Sequence, residues 1–459
     1  MTKEGLHNLL NLGVEKNAAH FLIFSETKSE RLNYVCEFIF NTVLKVNYSI
    51  TQSLSEFETS NHFKINYYRK HIDKAFQLQP HSLIFETIIT EQKPQPIFKN
   101  ENIYFFETTS SNFHFDVFAA TFFFISRLEE WQTFEADTHQ RFEAKNSILF
   151  QNKFHLKPVV DIWIEELKTA LQHFYPTISF PEKKFKAIST IDVDNLYAFK
   201  HKGFVRTSGA IAKDILKFDF KNLSARLNVL RGKQKDPFDI YESISEFCLQ
   251  NNIPLLYFFL FKTGTAHDRT VDPSYPAFKN VFTTLKKYVS PSTGSGVFVG
   301  LHPSYNSSVD EAMLKQEVSD FSKALGEPVN ISRQHYLRFN IKTTPKHLLQ
   351  NDIMADFTMG FASQLGFRAG TSQPFYYYDF ANEQKTDLIF VPFCAMDGAY
   401  LVYDKITPED TLNSLLQLAN EVKKVKGLFI TVYHERTFYD ELYKGFGEVY
   451  KKTYSKIAN

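Results

Sequence analysis

The sequence predicts an α/β protein: a (β/α) barrel, closed or incomplete, preceded by a smaller mixed α/β domain. Three observations predict it. From residue 185 onward, short apolar runs alternate with amphipathic helical patterns, the signature of parallel α/β architecture. A polar segment with two prolines, Tyr175–Lys184, precedes that alternation. No Gly-rich phosphate loop follows the first strand of the series, which disfavours an open doubly wound sheet. A chain of 459 residues is long enough for two or three domains. The reading is residues 1–184 as the first domain and 185–459 as the barrel.

Composition narrows the class. The apolar fraction is 43%, and 48 Phe and 23 Tyr make the expected cores aromatic. The net charge of +1 gives no global field for nucleic acid or an anionic membrane. Three scattered cysteines, Cys36, Cys248 and Cys394, offer neither a disulfide framework nor a CxxC metal site, so a reducing compartment is expected. The N-terminus lacks a basic region followed by a long apolar run. The most apolar stretch, Val117–Ile125, is far shorter than the ~20 residues of a membrane span. A soluble, cytoplasmic protein is expected.

The first domain begins with a strand at His20–Phe24 and a helix at Glu30–Leu44, N-capped by Ser29. Strands are expected at Phe63–Tyr68, Ser82–Thr87 and Asn102–Glu107. A buried helix should run from Phe115 to Trp131. Its charged end, Arg127, Glu129 and Glu130, should form an ion-pair cluster at a surface or domain interface. An irregular loop, Phe134–Asn152, leads to a helix at Pro158–Phe174.

Barrel strands are expected at Ala187–Asp192, Pro254–Phe261, Val297–Leu301, Val329–Ser332, Asp352–Phe357, Leu388–Pro392 and Leu428–Tyr433. Expected helices are Phe238–Gln250, Phe278–Val289, Asp310–Leu325, Pro345–Gln350, Thr411–Val425 and Tyr439–Lys451. In such a barrel the strand ends converge on one face, where active sites are built. These strands end in Asp192-Val-Asp194, His302-Pro-Ser-Tyr-Asn306, Arg333-Gln-His335 and Asp356, and the last reaches His434. Asp192 and Asp194, two apart on a strand, share a face and need partners in a core. Together these groups are the content of a metal-hydrolase site. Arg333 is read as the partner of Asp192.

The succession resembles the polysaccharide deacetylases, metal-dependent carbohydrate esterases with a distorted (β/α) barrel, over about residues 185 to 440. Thr190-Ile-Asp-Val-Asp194 is similar to that family's Thr-Phe-Asp-Asp motif, expanded by one residue. His302-Pro-Ser-Tyr-Asn306 lies at its His-Ser/Thr-x-x-His motif, Arg333-Gln-His-Tyr336 at its Arg-x-Pro-aromatic motif, and Val432-Tyr-His434 at its Leu-x-His motif. The resemblance implies Asp192 as general base, Asp194 as a metal ligand with His302 and the residue at 306, Asp356 as the fourth motif's Asp, and His434 as general acid. It also implies a divalent metal, zinc first, and an N-acetylated carbohydrate substrate. The stretch from Asp116 to Glu130 is similar to an uncharacterised domain that precedes such barrels in some bacterial proteins.

Three departures bear on the chemistry. Val193 splits the Asp pair, Asn306 replaces the second metal histidine, and His335 stands in place of the proline. Asn306 is a weak neutral donor, better suited to harder cations than zinc. Either metal affinity is reduced, or a group such as His335 completes the ligand set, or the barrel no longer binds metal. Two other functions stay open: an inactive deacetylase-like binding or structural module, and a barrel glycosidase pairing Asp192 with Asp356 or Glu435. Tyr305, Tyr336 and Phe367 could stack on a sugar, with core packing the commoner role for each.

Overall fold

The computed structural model describes residues 1–15, 18–109, 111–262, 265–268, 275–288 and 296–458. In the N-terminal region four parallel strands pair in one sheet: β1 (His20–Phe24), β2 (Asn47–Thr51), β3 (Phe63–Tyr67) and β4 (Phe76–Leu78), ordered β2-β1-β3-β4. A separate hairpin joins β5 (Ile97–Lys99) to β6 (Asn102–Tyr104). Ser82–Phe85, expected as a strand, is a 3₁₀ turn whose first N–H groups are met by His81. The helix begun at Glu30 widens into a π-helix over Glu37–Val43. The expected helix through Trp131 breaks at Arg127, which takes a left-handed conformation with φ 56°.

The remaining strands form one nine-stranded curled sheet. They are β7 (Lys186–Val193), β8 (Leu255–Leu260), β9 (Val297–His302), β10 (Ile331–Ser332), β11 (Ala355–Asp356), β12 (Phe375–Asp379), β13 (Gln384–Phe390), β14 (Ala395–Met396) and β15 (Leu428–His434). Their order is β12-β13-β11-β10-β9-β8-β7-β15-β14, with β12 alone antiparallel. The eight parallel strands follow chain order around a ring, except that β13 and β14 lie at opposite ends of the row.

Chain length requires the curl. Seven strand spacings separate β13 from β14, about 34 Å on a flat sheet. The five residue steps from Phe390 to Ala395 reach at most about 17 Å. The two edges must therefore approach. The connecting segment spans the seam: Val391 N–H donates to the Asp356 carbonyl on one side, and Cys394 N–H to the Ile430 carbonyl on the other. The sheet is curled into a half-barrel whose two edges this one irregular segment links. Helices Tyr241–Gln250, Tyr275–Lys286, Glu311–Leu325, Thr344–Gln350, Pro408–Lys424 and Phe446–Ala458 connect or follow the strands. Val289, the expected end of the second, lies outside the described residues.

The barrel interior is apolar at its base and ionic at its mouth. Ile188, Leu256, Phe258, Ile331, Ile430 and Val432 share an inner cluster with Leu6, Leu9 and Leu10 of the first ten residues. Helix Lys3–Leu9 therefore closes the end where the strands begin, and Lys186 Nζ donates to the carbonyls of Asn8 and Leu9. The N-terminal region and the barrel also share one continuous core. The charged cluster at residues 127–130 is buried at their junction. Glu130 accepts from Arg368 Nε and Nη2 at 2.8 and 2.6 Å and from Arg127 Nε at 2.8 Å.

Candidate metal centre

Strand register brings the site together. His434 on β15 lies directly beside Asp192 on β7, Asp192 beside Phe258 on β8, and Phe258 beside Gly300 on β9. Gly300 is required in that row: a Cβ there would sit 2.6 Å from the Phe258 ring. The Phe258 ring lies in turn under the Arg333 guanidinium, 4.5 Å from ring centre to Cζ. Arg333 Nη1 donates to Asp192 Oδ1 at 2.7 Å and to Thr190 Oγ1 at 2.8 Å, while its Nε donates to the Phe357 carbonyl. A bare backbone position on one strand thus seats the arginine that orients the first aspartate.

Asp194 is partnered on one oxygen only. Its Oδ2 receives Arg436 Nη1 at 2.6 Å. Its Oδ1 is buried without a hydrogen-bond partner and faces His302 Nε2 and His335 Nε2, each at 3.6 Å. Both rings are fixed from behind. His302 Nδ1 contacts the Arg333 carbonyl at 2.5 Å, and His335 Nδ1 contacts Asp268 Oδ1 at 2.9 Å. A carbonyl and a carboxylate can only accept, so each Nδ1 carries a proton, and Nε2 is the atom that presents a lone pair when the ring is neutral. Burial works against charge on His302, but Asp192 and Asp194 outweigh it and raise that ring above its ordinary value. Asp194, His302 and His335 are the one group of three or more His, Cys, Asp or Glu able to hold a metal ion among the described residues.

The donor set fits a divalent ion. Separations of 3.6 Å are too long for hydrogen bonds and close to the roughly 3.4 Å between ligands on a tetrahedral ion with bonds of about 2.1 Å. Two neutral imidazoles and a carboxylate are a zinc-type set, and the carbonyl and carboxylate behind the rings are the outer-shell partners such ligands require. The left-handed turn at Tyr336 (φ 59°) and Leu337 (φ 52°) holds His335 at the mouth. Non-glycine residues in that region are strained, and surrounding structure must hold them there.

Charge at the site is finely divided. Burial alone would raise the Asp194 carboxyl, but Arg436, then His434, His302 and His335, outweigh it and hold it well below the usual carboxylate range. Burial keeps His335 below its ordinary value, against a partial pull upward from Asp268. Burial works against charge on His434 too, yet Asp397 and Asp194 raise it to about 9. His434 Nδ1 donates to Asp397 Oδ1 at 2.6 Å, and its Nε2 lies 3.9 Å from Asp194 Oδ2.

A cavity of about 630 Å³ opens over these groups and is lined by Asp192, Asp194, His302, His335 and His434. Two expected site residues lie elsewhere. Asn306 spends its side-chain oxygen on Arg338 at 3.4 Å and does not line the cavity. Asp356 follows inward-facing Ala355 on its strand and turns the other way, accepting from Ser332 Oγ and Thr358 N–H. Burial raises its carboxyl. Phe367 is in the core, whereas Tyr336 is 37% exposed at the cavity.

Three participants were not visible in the sequence. Asp397 follows β14, a strand of two residues without periodicity. Asp268 sits in the long connection after β8. Arg436 is two residues past His434, a spacing that could have suggested it. The N-terminal region also reaches the mouth: Arg141 lines the cavity, donating to the Tyr336 carbonyl at 2.8 Å, and His139 Nδ1 lies 3.0 Å from Tyr305 Oη.

Residues 21–176 match a family of unknown function, DUF7033. No curated protein matches the chain in sequence. Solved structures resemble it faintly. A Mycobacterium smegmatis protein described as a polysaccharide deacetylase is 13% identical, with TM-score 0.37, over 61% of this chain and 86% of its own. A Pseudomonas aeruginosa PAO1 protein so described is 8% identical, with TM-score 0.35, over 59% and 84%. A 4-alpha-glucanotransferase from Thermococcus litoralis is 12% identical, with TM-score 0.35, over 61% and 38%. At these values the likenesses carry no weight for function, which rests on the site's own geometry.

Proposed function

We propose that this protein is a metal-dependent deacetylase that hydrolyses an N-acetyl group on a sugar or polysaccharide. The observation that carries the reading is Asp194 Oδ1, a buried carboxylate oxygen without a hydrogen bond, facing the Nε2 atoms of two imidazoles at 3.6 Å each. Asp194, His302 and His335 would hold a divalent ion, zinc by donor type. When bound, such an ion supplies Lewis acidity toward an acyl oxygen and acidifies water.

The chain's own groups supply the proton transfers. Asp192 is the base. Arg333 fixes its Oδ1, and its Oδ2 lies 3.8 Å from His302 Nε2, beside the candidate ligands. From there it can take a proton from water. His434, held through Nδ1 by Asp397, presents Nε2 to the same cavity and can give a proton to the departing amine. Water adds across the C–N bond, leaving acetate and a free amine. Tyr336, exposed at the cavity, offers an apolar face to a sugar ring.

Two observations favour this reading over the alternatives. Asn306 argued for a barrel without metal, but His335 occupies the third position of the group. A glycosidase needs a second carboxylate across the sugar. Asp356 turns away, and Glu435 accepts the backbone N–H groups of Asp194 and Asn195. Acetate release from N-acetylated glycans tests the proposal. Release by the metal-loaded protein should fall about 10²- to 10⁴-fold in Asp192→Asn with metal content unchanged. New reducing ends without acetate would point to a glycosidase instead.

A further inference from the structure

Helices Phe204–Leu216 and Phe220–Leu230 form a hairpin inserted after β7. They are joined by Asp214, which receives Arg226 Nε at 2.9 Å and Asn222 Nδ2 at 3.0 Å. The hairpin is anchored at its base. Asp236 accepts the backbone N–H groups of Ala198, Phe199 and Lys200, and Arg226 lies over the Phe199 ring.

Its first helix is amphipathic in the wrong direction for a soluble fold. At 100° per residue, Phe204, Val205, Ile211, Ile215 and Leu216 fall on one face, with Arg206, Lys213 and Lys217 opposite. A surface helix normally buries the apolar face, yet here Phe204 is 87%, Val205 81% and Leu216 79% exposed. Phe218 in the turn and Phe220 at the start of the second helix are 78% and 62% exposed. Clustered exposure on this scale marks an interaction site.

Charge identifies the occupant. Residues 200–235 carry ten Lys and Arg against two Asp, in a chain whose total balance is +1. Arg226, Lys221 and Lys235 pair with Asp214, Glu441 and Asp239, which still leaves the segment with an excess of positive charge. A second copy meeting this face through a two-fold axis would set the same cationic surface against itself. A nucleic acid would engage the basic groups but leave the aliphatic face in water. An anionic bilayer satisfies both: phosphate headgroups for the Lys and Arg, hydrocarbon for Phe, Ile and Leu. We propose that the hairpin 204–230 docks this protein peripherally on anionic lipid membranes. The proposal rests on the hairpin alone and does not require the deacetylase reading.

The test is sedimentation of the full chain with vesicles of phosphatidylcholine, with and without phosphatidylglycerol. The protein should pellet with the anionic vesicles and not with phosphatidylcholine alone, and salt should weaken binding. Lys213→Ala with Lys217→Ala should weaken partition about thirtyfold, and Leu216→Ser with Phe218→Ser should abolish it. An unchanged circular dichroism spectrum and unfolding midpoint of each variant show that the fold is intact. Failure to pellet with anionic vesicles would overturn the proposal, as would full binding by the Leu216 and Phe218 variant. A dimer in light scattering that the same substitutions dissolve would assign the face to a second copy.

Discussion

Asp194 shows how a single side chain can be read as a ligand. Arg436 satisfies one of its oxygens and nothing satisfies the other. A buried acceptor left alone costs about 1–3 kcal/mol, more when charged, a cost that a bound cation would remove. The same logic predicts the value of the group behind His335. Asp268→Asn should lower metal affinity about 10- to 100-fold, measured by competition with a chromogenic chelator. Equal affinity in the variant would detach Asp268 from the site. Sequence spacing alone made the Asp pair, His302, Arg333 and His434 legible, because each lies at a strand end. It misplaced Asn306 and Asp356, because motif spacing does not reveal which way a loop or strand residue turns. His335 was legible only as a residue out of place in a motif.

The strands show what periodicity can and cannot carry. The long strands β7, β8, β9 and β15 stand within one or two residues of expectation because their apolar runs are continuous. β10, β11 and β14 are two residues each, too short to have a period. The hairpin strand β12 was missed, and so were the helices at 204–230 and at Lys3–Leu9. Their apolar positions do not face the core expected of a surface helix: one set meets solvent, the other plugs the barrel base. At this scale Gly300→Ala should be destabilising by about 1–3 kcal/mol in denaturant unfolding, since Phe258 must shift, and it should weaken Asp192 function through Arg333. No loss of stability would mean the ring relaxes freely.

Glu317 on helix Glu311–Leu325 makes a pH prediction. It accepts the Ser304 backbone N–H at 2.9 Å, and burial raises its carboxyl to about 7. The native state then holds a proton that the unfolded chain releases near the ordinary value of 4.5. Glu317 therefore favours folding below that value, and its contribution falls as pH rises from about 4.5 to 7. Glu317→Gln should remove that slope, so its stability relative to wild type should improve as pH rises from about 4.5 to about 7 and then level off. A constant difference across that range would show that Glu317 titrates normally.

The whole molecule joins two regions through one core and a buried charge cluster. Glu130 lies between Arg127 and Arg368, almost fully removed from water, and Glu130→Ala would leave two guanidinium groups without their carboxylate. Unfolding stability should drop by about 3–5 kcal/mol, a loss that a surface ion pair would not produce. The N-terminal region also places Arg141 in the cavity wall, a link that the expected division at residue 184 did not anticipate. What the β/α alternation made legible was the ring of strands. The seam between β13 and β14, and the helix that stops the barrel base, depend on tertiary packing that no local pattern encodes. The central claim is that Asp194, His302 and His335, without Asn306, hold a divalent ion. Metal analysis of chelator-stripped, zinc-reloaded protein tests it most directly. One ion per chain in the wild type and in Asn306→Ala, with loss in His335→Ala, is the expected result. No stoichiometric binding by the wild type, or retention in His335→Ala with loss in Asn306→Ala, would contradict it.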